Sequence, residues 1–304
     1  METTFEVLFE RHRREIHVHC YRMLGSFEAA EDVVQEAFLR SWRARDSFGD
    51  ELNFRAWMYK IATNCCLDAL RREKRRAASG SGSPSEIPWL TPYPDELLDE
   101  VAPPDEQPDA VIVTRETISL AFLALIQQLP ARQRAVLLMR DVLSFSAAET
   151  ASLLEMSVAS VTSALQRGRA KLADAGERRV SAPSPREREL LAGFIDAHER
   201  CDTAASIALM REDIRVTMPP MPYLFEGIDG VRPLMDDAWS MGEWRLVATA
   251  ANRMPAAASY LRRPGDSLFR AMKLDVLRVD GGLVAEVTTF GTPAFPWFRL
   301  PETL

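Results

Sequence analysis

The chain has 304 residues, 47% of them hydrophobic and 27% charged, with a formal net charge of −7, a composition expected of a soluble globular chain of two to three domains. No stretch approaches the roughly 18 to 20 apolar residues that cross a bilayer, and the opening METTFEVLFERHRRE lacks the apolar core of a signal peptide, so a cytoplasmic protein with no membrane partner is expected. Cys20, Cys65, Cys66 and Cys201 show no CxxC spacing and fit no disulfide framework.

Charge is unevenly placed. Residues 77–114 carry eight acidic and no basic side chains, so the negative balance is concentrated in one stretch. A chain that is acidic overall can still hold DNA through locally basic faces.

Phe5, Leu8, Phe9, Ile16, Cys20 and Leu24 recur in helical rhythm, Gly25 closes the pattern, and Ser26 is placed to cap the next helix. His17, His19 and Cys20 stand close in sequence but have no second ligand cluster, so no metal and no cofactor are expected. In the second pattern Ala30, Val33, Val34, Ala37, Phe38 and Trp42 form the core stripe. The helical spacing gathers Asp32, Gln35, Glu36 and Leu39 into a separate acidic-polar patch with an apolar edge, which suits a basic protein partner.

A third pattern buries Phe54, Trp57, Met58, Ile61, Ala62, Cys65 and Ala69 and leaves Lys60, Asn64, Asp68, Arg71 and Arg72 on another face. Cations at a helix C-terminus also complement its dipole. The loop before it holds Phe48 and Asn53, and aromatic rings beside a basic helix are what a protein needs to stack on an unpaired base while holding phosphates.

DVVQEAFLRSW followed by FRAWMYKIATNCCLDALRRE resembles region 2 of the extracytoplasmic-function sigma factors, relatives of bacterial sigma-70. That resemblance implies a small helical domain over residues 1–76, in which Asp32, Gln35, Glu36 and Leu39 bind the beta-prime clamp of core RNA polymerase. It also implies that Phe48, Asn53, Trp57, Lys60, Asn64, Arg71 and Arg72 capture the minus-10 strand.

Residues 77–114 are rich in Ser, Gly, Pro and acid, so an extended connector is expected, with Trp89, Leu90, Tyr93, Leu97 and Leu98 as anchors on another surface. In the family such a connector threads through polymerase.

Helical periodicity returns over 115–180. Ile118, Phe122, Leu125, Ile126 and Leu129 precede Pro130, and Ala135, Val136, Leu138, Met139 and Val142 follow it. Ser146 and Glu149 form a capping-box pattern, Glu155-Met156 makes the turn and Ser157 caps a last basic helix. This is the spacing of a helix-turn-helix, with Val158, Val161, Leu165 and Leu172 facing inward and Ser160, Thr162, Ser163, Gln166, Arg167 and Arg169 outward, where they can meet base edges and phosphates. The run LPARQRAVLLMRDVLSFSAAETASLLEMSVASVTSALQRGRAKL is similar to region 4 of the same family. The resemblance implies minus-35 promoter binding by the outward set and a contact with the beta flap.

Pro183 and Pro185 mark a further boundary. One helix is expected over 188–210, then strands over 245–253, 256–263, 267–279 and 283–290, with Asp280-Gly281-Gly282 as a hairpin turn. The order resembles the SnoaL-like, NTF2-type cone, an α+β unit over 181–304. Such cones hold pockets, so a small-molecule ligand is a candidate partner, with His198, Asp202, Trp239, Trp244 and Tyr260 as candidate lining.

The fold class expected is thus multidomain: two all-α modules and a C-terminal α+β cone. The function expected is an alternative sigma factor tuned by its fused domain, and no catalytic residues emerge. Two alternatives remain, a DNA-binding regulator fused to a cyclase-like or isomerase-like enzyme, and a repressor sensing a small molecule. A separate anti-sigma partner is neither indicated nor excluded.

Overall fold

The computed structural model describes residues 5–47, 54–72, 87–100, 115–174 and 185–304. They fall into two compact units.

The first unit begins with helices α1 (Phe5–Leu24), α2 (Phe27–Ala44) and α3 (Phe54–Arg72). Gly25, at φ +73°, ends α1, and the Ser26 hydroxyl accepts the Ala29 N–H at 3.3 Å to start α2, a tight chain reversal between two packed helices. Ile16, Cys20, Leu24, Ala30, Val34, Ala37, Met58 and Ala62 are buried between the three helices. Glu15 ties α1 to α3: it meets His12 Nδ1 at 2.5 Å and accepts from Arg55 at 2.9 Å and Tyr59 at 3.1 Å. Burial raises the carboxyl's pKa, but the His12 hydrogen bond and the Arg55 guanidinium outweigh it and hold the group below its ordinary value.

A one-turn helix α4 (Asp95–Asp99) precedes α5 (Leu120–Gln127), α6 (Ala131–Leu137), a π-turn over Leu138–Val142, α7 (Ala147–Leu154) and α8 (Val158–Asp174). Arg134 of α6 is 2% exposed. It donates to the carbonyls of Ile126 (2.9 Å), Gln127 (2.8 Å), Leu129 (3.2 Å) and Met23 and to the Gln127 side chain (2.5 Å). Gln127 in turn donates to the Arg22 carbonyl at 3.0 Å. One guanidinium and one amide therefore satisfy backbone carbonyls at the C-terminal ends of α1 and α5, groups that cannot be satisfied within a helix.

The covered surface of α3 is wider than the stripe read from the periodicity, because Tyr59 and Thr63 also meet Glu15 and His19 of α1. Tyr59, Thr63, Cys66 and Leu67 are buried beside Phe54, Met58 and Cys65, and the Tyr59 ring stands edge-on to Phe145 at 5.7 Å.

The second unit holds α9 (Pro185–Glu199), α10 (Thr203–Ala208), β1 (Met210–Met218), β2 (Met221–Glu226), α11 (Gly227–Ser240), β3 (Glu243–Ala251), β4 (Met254–Arg262), β5 (Arg270–Asp280) and β6 (Leu283–Gly291). The strands form one curved sheet in the order β2-β1-β6-β5-β4-β3, antiparallel except for the parallel β1/β6 pair. Phe194, Ile214, Val216, Val231, Trp244, Ala257, Leu277 and Val287 are the centre of its core.

Three sequence expectations are corrected here. The single helix over 188–210 is two, because the chain turns at Cys201 (φ +53°) and Asp202 accepts the Ala205 N–H at 2.9 Å to cap α10. Strands β1 and β2 and helix α11 were not anticipated. The sequence of β1 is interrupted by Arg211, Glu212 and Asp213, β2 contains Pro222 and is largely exposed as an edge strand, and α11 carries Gly230 and Pro233. The β3–β4 hairpin turns at Asn252 and Arg253, both at positive φ, so β3 ends before them.

Part of the acidic stretch expected as an open connector is folded onto this unit. Ile87, Leu90 and Tyr93 are buried. The Tyr93 N–H donates to Asn252 Oδ1 at 2.8 Å, the Asn252 N–H donates back to the Tyr93 carbonyl at 2.9 Å, and Pro94 bridges Ala251. Asp95 accepts the Arg253 N–H at 2.7 Å, and Asn252 Nδ2 donates to the Ile118 carbonyl at 2.8 Å. A polar hairpin tip gives no sequence signal for such a contact, because its partners lie more than a hundred residues away.

Candidate nucleic-acid interface and C-terminal cavity

The helix-turn-helix is formed as its caps dictate. Ser146 accepts the Glu149 N–H at 3.1 Å while Glu149 accepts the Ser146 N–H at 2.7 Å, the reciprocal pair of a capping box. Glu155, at φ +52°, ends α7, and Ser157 accepts the Ser160 N–H at 3.1 Å to begin α8. Val161, Ala164 and Leu165 are buried. At Gly168 a Cβ would stand 3.2 Å from Leu137 Cδ1, so the missing side chain is what lets α8 approach α6. Val158 is corrected: it is 50% exposed and lies at the free start of α8, one turn before the stripe makes contact.

Ser160, Thr162, Ser163, Gln166, Arg167 and Arg169 are all exposed. They are not equally available. The Ser160 hydroxyl accepts from Ser157 at 2.8 Å, Thr162 donates to the Val158 carbonyl at 3.0 Å, and Arg169 makes a two-pronged pair with Asp141 at 2.9 and 2.6 Å. Ser163, Gln166 and Arg167 share one outer face of α8 at helical spacing.

On α2, Asp32, Gln35 and Leu39 are exposed, the last at 46%, and Glu36 is half-buried in a 2.7 Å pair with Arg40. The patch read from the sequence is thus one surface strip, apolar at the Leu39 end. Arg40 also reaches Asp68 of α3 at 2.9 Å, a fixed position that the sequence pattern did not single out.

On α3, Lys60 and Asn64 are half-buried and Arg71 and Arg72 exposed. Lys60 pairs with Glu155, the turn residue between α7 and α8, at 3.3 Å, and Arg71 with Asp68 at 3.1 Å. Trp57 is half-buried in an aromatic group with Phe5 and Phe54, at centroid distances of 6.4 and 5.9 Å. Phe48 and Asn53 lie outside the described residues.

Elsewhere in this unit His17 lies 3.3 Å from Glu31, and His19, wholly buried, hydrogen-bonds Thr63 at 2.8 Å. Burial first, and the neighbouring Arg22 second, push the His19 pKa down to about 3. Among the described residues no three His, Cys, Asp or Glu side chains are grouped to hold a metal ion.

In the second unit the concave side of the sheet encloses a cavity of about 450 Å³. His198, Trp239 and Trp244 line it, as the sequence reading expected. Asp202 and Tyr260 do not: Asp202 is occupied as the α10 cap, and Tyr260 packs edge-on to Phe295 at 5.5 Å with its hydroxyl donated to the Pro301 carbonyl at 3.0 Å. Side chains alternate across a strand, so Tyr260 faces away from the concave surface that Trp244 shares. Lys273, Asp275 and Thr289 stand at the cavity instead; without the register of β5 and β6 nothing in the sequence marks them.

No described helix is long and apolar enough to cross a membrane. Residues 8–76 match the sigma-70 region 2 family and residues 119–172 the sigma-70 region 4 family. The ECF RNA polymerase sigma factor SigG of Mycobacterium tuberculosis is 39% identical over 99% of this chain and 85% of its own length. SigW of Bacillus subtilis is 32% identical over 56% of this chain and 88% of its own. The crystal structure of SigJ from Mycobacterium tuberculosis shares the fold, with a TM-score of 0.65 at 23% identity over 97% of this chain and 98% of that one. Two helical modules in this order, with 39% identity to SigG over nearly the whole chain, place the chain in the extracytoplasmic-function sigma factors of the sigma-70 family, alternative factors that direct transcription initiation.

Proposed function

We propose that the chain assembles with core RNA polymerase through the α2 strip of Asp32, Gln35, Glu36 and Leu39, captures the minus-10 strand with α3 and reads the minus-35 duplex with Ser163, Gln166 and Arg167 of α8. It works in the cytoplasm as a binding protein and not as an enzyme. The observation that carries this reading is the pairing of Lys60 with Glu155, reinforced by the Tyr59–Phe145 contact. A cation meant for phosphate is instead ion-paired with the turn of the duplex-reading module. The free chain therefore holds its two DNA faces together, and polymerase must part them before they can grip separate promoter elements.

The fused cone acts through the connector. The hydrogen bonds of Asn252 and Arg253 to residues 93 and 95 support this, because they hold a segment lying between the two promoter-binding modules in sequence. Promoter binding by the purified chain, with and without core polymerase, followed by run-off transcription, tests the assignment. Binding is expected to be weak alone, strong in the holoenzyme, and lost from the holoenzyme on Asp32→Lys. Tight promoter binding without polymerase would instead identify a repressor.

A further inference from the structure

We propose that the cavity of the C-terminal cone is a receptor for an uncharged, largely apolar molecule carrying one hydroxyl or carbonyl group, which it hydrogen-bonds through His198 Nε2. This deepens the regulatory reading of that domain by naming what it senses. Its test is read by binding alone, so it can fail while the transcriptional reading stands.

Size and lining come first. A volume of about 450 Å³ lies within the range of small-molecule sites. Met210, Met218, Met235, Met241 and Met272 supply much of the wall, with Trp239 and Trp244. Thioether side chains adapt to irregular apolar shapes, and indole faces favour flat ones.

Charge comes second. Lys273 Nζ lies 2.8 Å from Asp275 Oδ2, and Thr289 donates to Asp275 Oδ1 at 2.6 Å. Asp275 is fully buried, so its charge is compensated within the wall, and Asp237, the other carboxylate at the cavity, is exposed. Both Asp275 carboxylate oxygens already face a partner in the wall, Thr289 at one and Lys273 at the other. The cavity is thus suited to holding its occupant, not transforming it.

The third observation is His198. Its ring is 7% exposed and stands edge-on to Trp239 at 4.6 Å and to Trp244 at 5.2 Å. Nε2 has no hydrogen-bond partner among the described residues. Burial, with Lys273 nearby, pushes the imidazole pKa down to about 3, so the ring is neutral at physiological pH. A buried polar atom without a partner is unfavourable, and a ligand hydroxyl or carbonyl would supply the missing hydrogen bond.

The full chain titrated by calorimetry at pH 7.5 with naphthalene, 2-naphthol and 2-naphthoate separates the possibilities. Expected are one saturable site, 2-naphthol bound about tenfold more tightly than naphthalene, 2-naphthoate weakest, and 2-naphthol recovered unchanged. His198→Phe should remove the preference for 2-naphthol and keep naphthalene binding, while His198→Gln, which retains a hydrogen-bonding amide, should restore part of it. The proposal is overturned by tightest binding of the naphthoate, by equal binding of naphthol and naphthalene, or by no saturable binding of any probe. A preference for naphthol undiminished in both His198 variants would overturn it as well. Should the Phe variant not fold, a folded Gln variant that lost the preference as completely as it lost naphthalene binding would point to collapse of the cavity and also count against it.

Discussion

Asn252 and the backbone of Tyr93 are joined by a reciprocal pair of hydrogen bonds, 2.8 Å from the Tyr93 N–H to the side-chain Oδ1 of Asn252 and 2.9 Å from the backbone N–H of Asn252 to the Tyr93 carbonyl. Asn252 is wholly buried and adopts φ +55°, a conformation that Asn tolerates better than most residues. Replacement by Gly keeps the backbone and deletes the side-chain bonds. Asn252→Gly should raise amide hydrogen exchange over residues 87–96 by at least tenfold, corresponding to about 1 to 2 kcal/mol of lost local stability. It should leave exchange in α1 to α3 unchanged. If the cone tunes initiation through this contact, run-off transcription by the holoenzyme changes in the same variant.

Arg167 stands on the outer face of α8, one helical turn beyond Ser163. Arg167→Ala should cost about 1 to 3 kcal/mol of holoenzyme affinity for a minus-35 duplex if it contacts a base edge. Binding to core polymerase, measured by co-purification, should be unaffected, and so should the thermal midpoint. The same loss on unrelated duplexes would reassign the residue to the phosphate backbone.

Arg134 has no exposed function in this architecture; it gathers carbonyls from α5, its C-terminal loop and the end of α1. Arg134→Met fills the space but leaves several buried carbonyls without donors. A loss of about 3 kcal/mol in urea-unfolding free energy is expected for the first unit. The C-terminal unit, followed by its tryptophans, should unfold at an unchanged midpoint.

His19 and His198 both have folded-state pKa values of about 3, against about 6.5 in the unfolded chain. The unfolded chain therefore binds more protons between these values, and stability falls as pH is lowered below about 6.5. Each buried histidine contributes a slope of up to about 1.4 kcal/mol per pH unit. Glu15 and Glu31, whose pKa values are lowered, act in the same direction only below about 4.5. Urea midpoints between pH 6.5 and 5 thus isolate the histidines, and His198→Phe should flatten the slope for the second unit alone.

The sequence by itself determined the helices of the first unit and their ends, since Gly25, Ser26, the Ser146/Glu149 pair and Ser157 act within four residues of where they stand. It also determined which faces of α2 and α8 are polar, because helical periodicity is local. Only the tertiary structure decided that α3 is covered beyond its apolar stripe, that Lys60 meets Glu155, that part of the acidic connector is bonded to a hairpin tip, and that Lys273, Asp275 and Thr289 replace Asp202 and Tyr260 beside His198. Those relationships join residues up to 159 positions apart. They depend on strand register and on how packed elements meet, and a one-residue change of register would turn a strand's whole set of side chains to the opposite face.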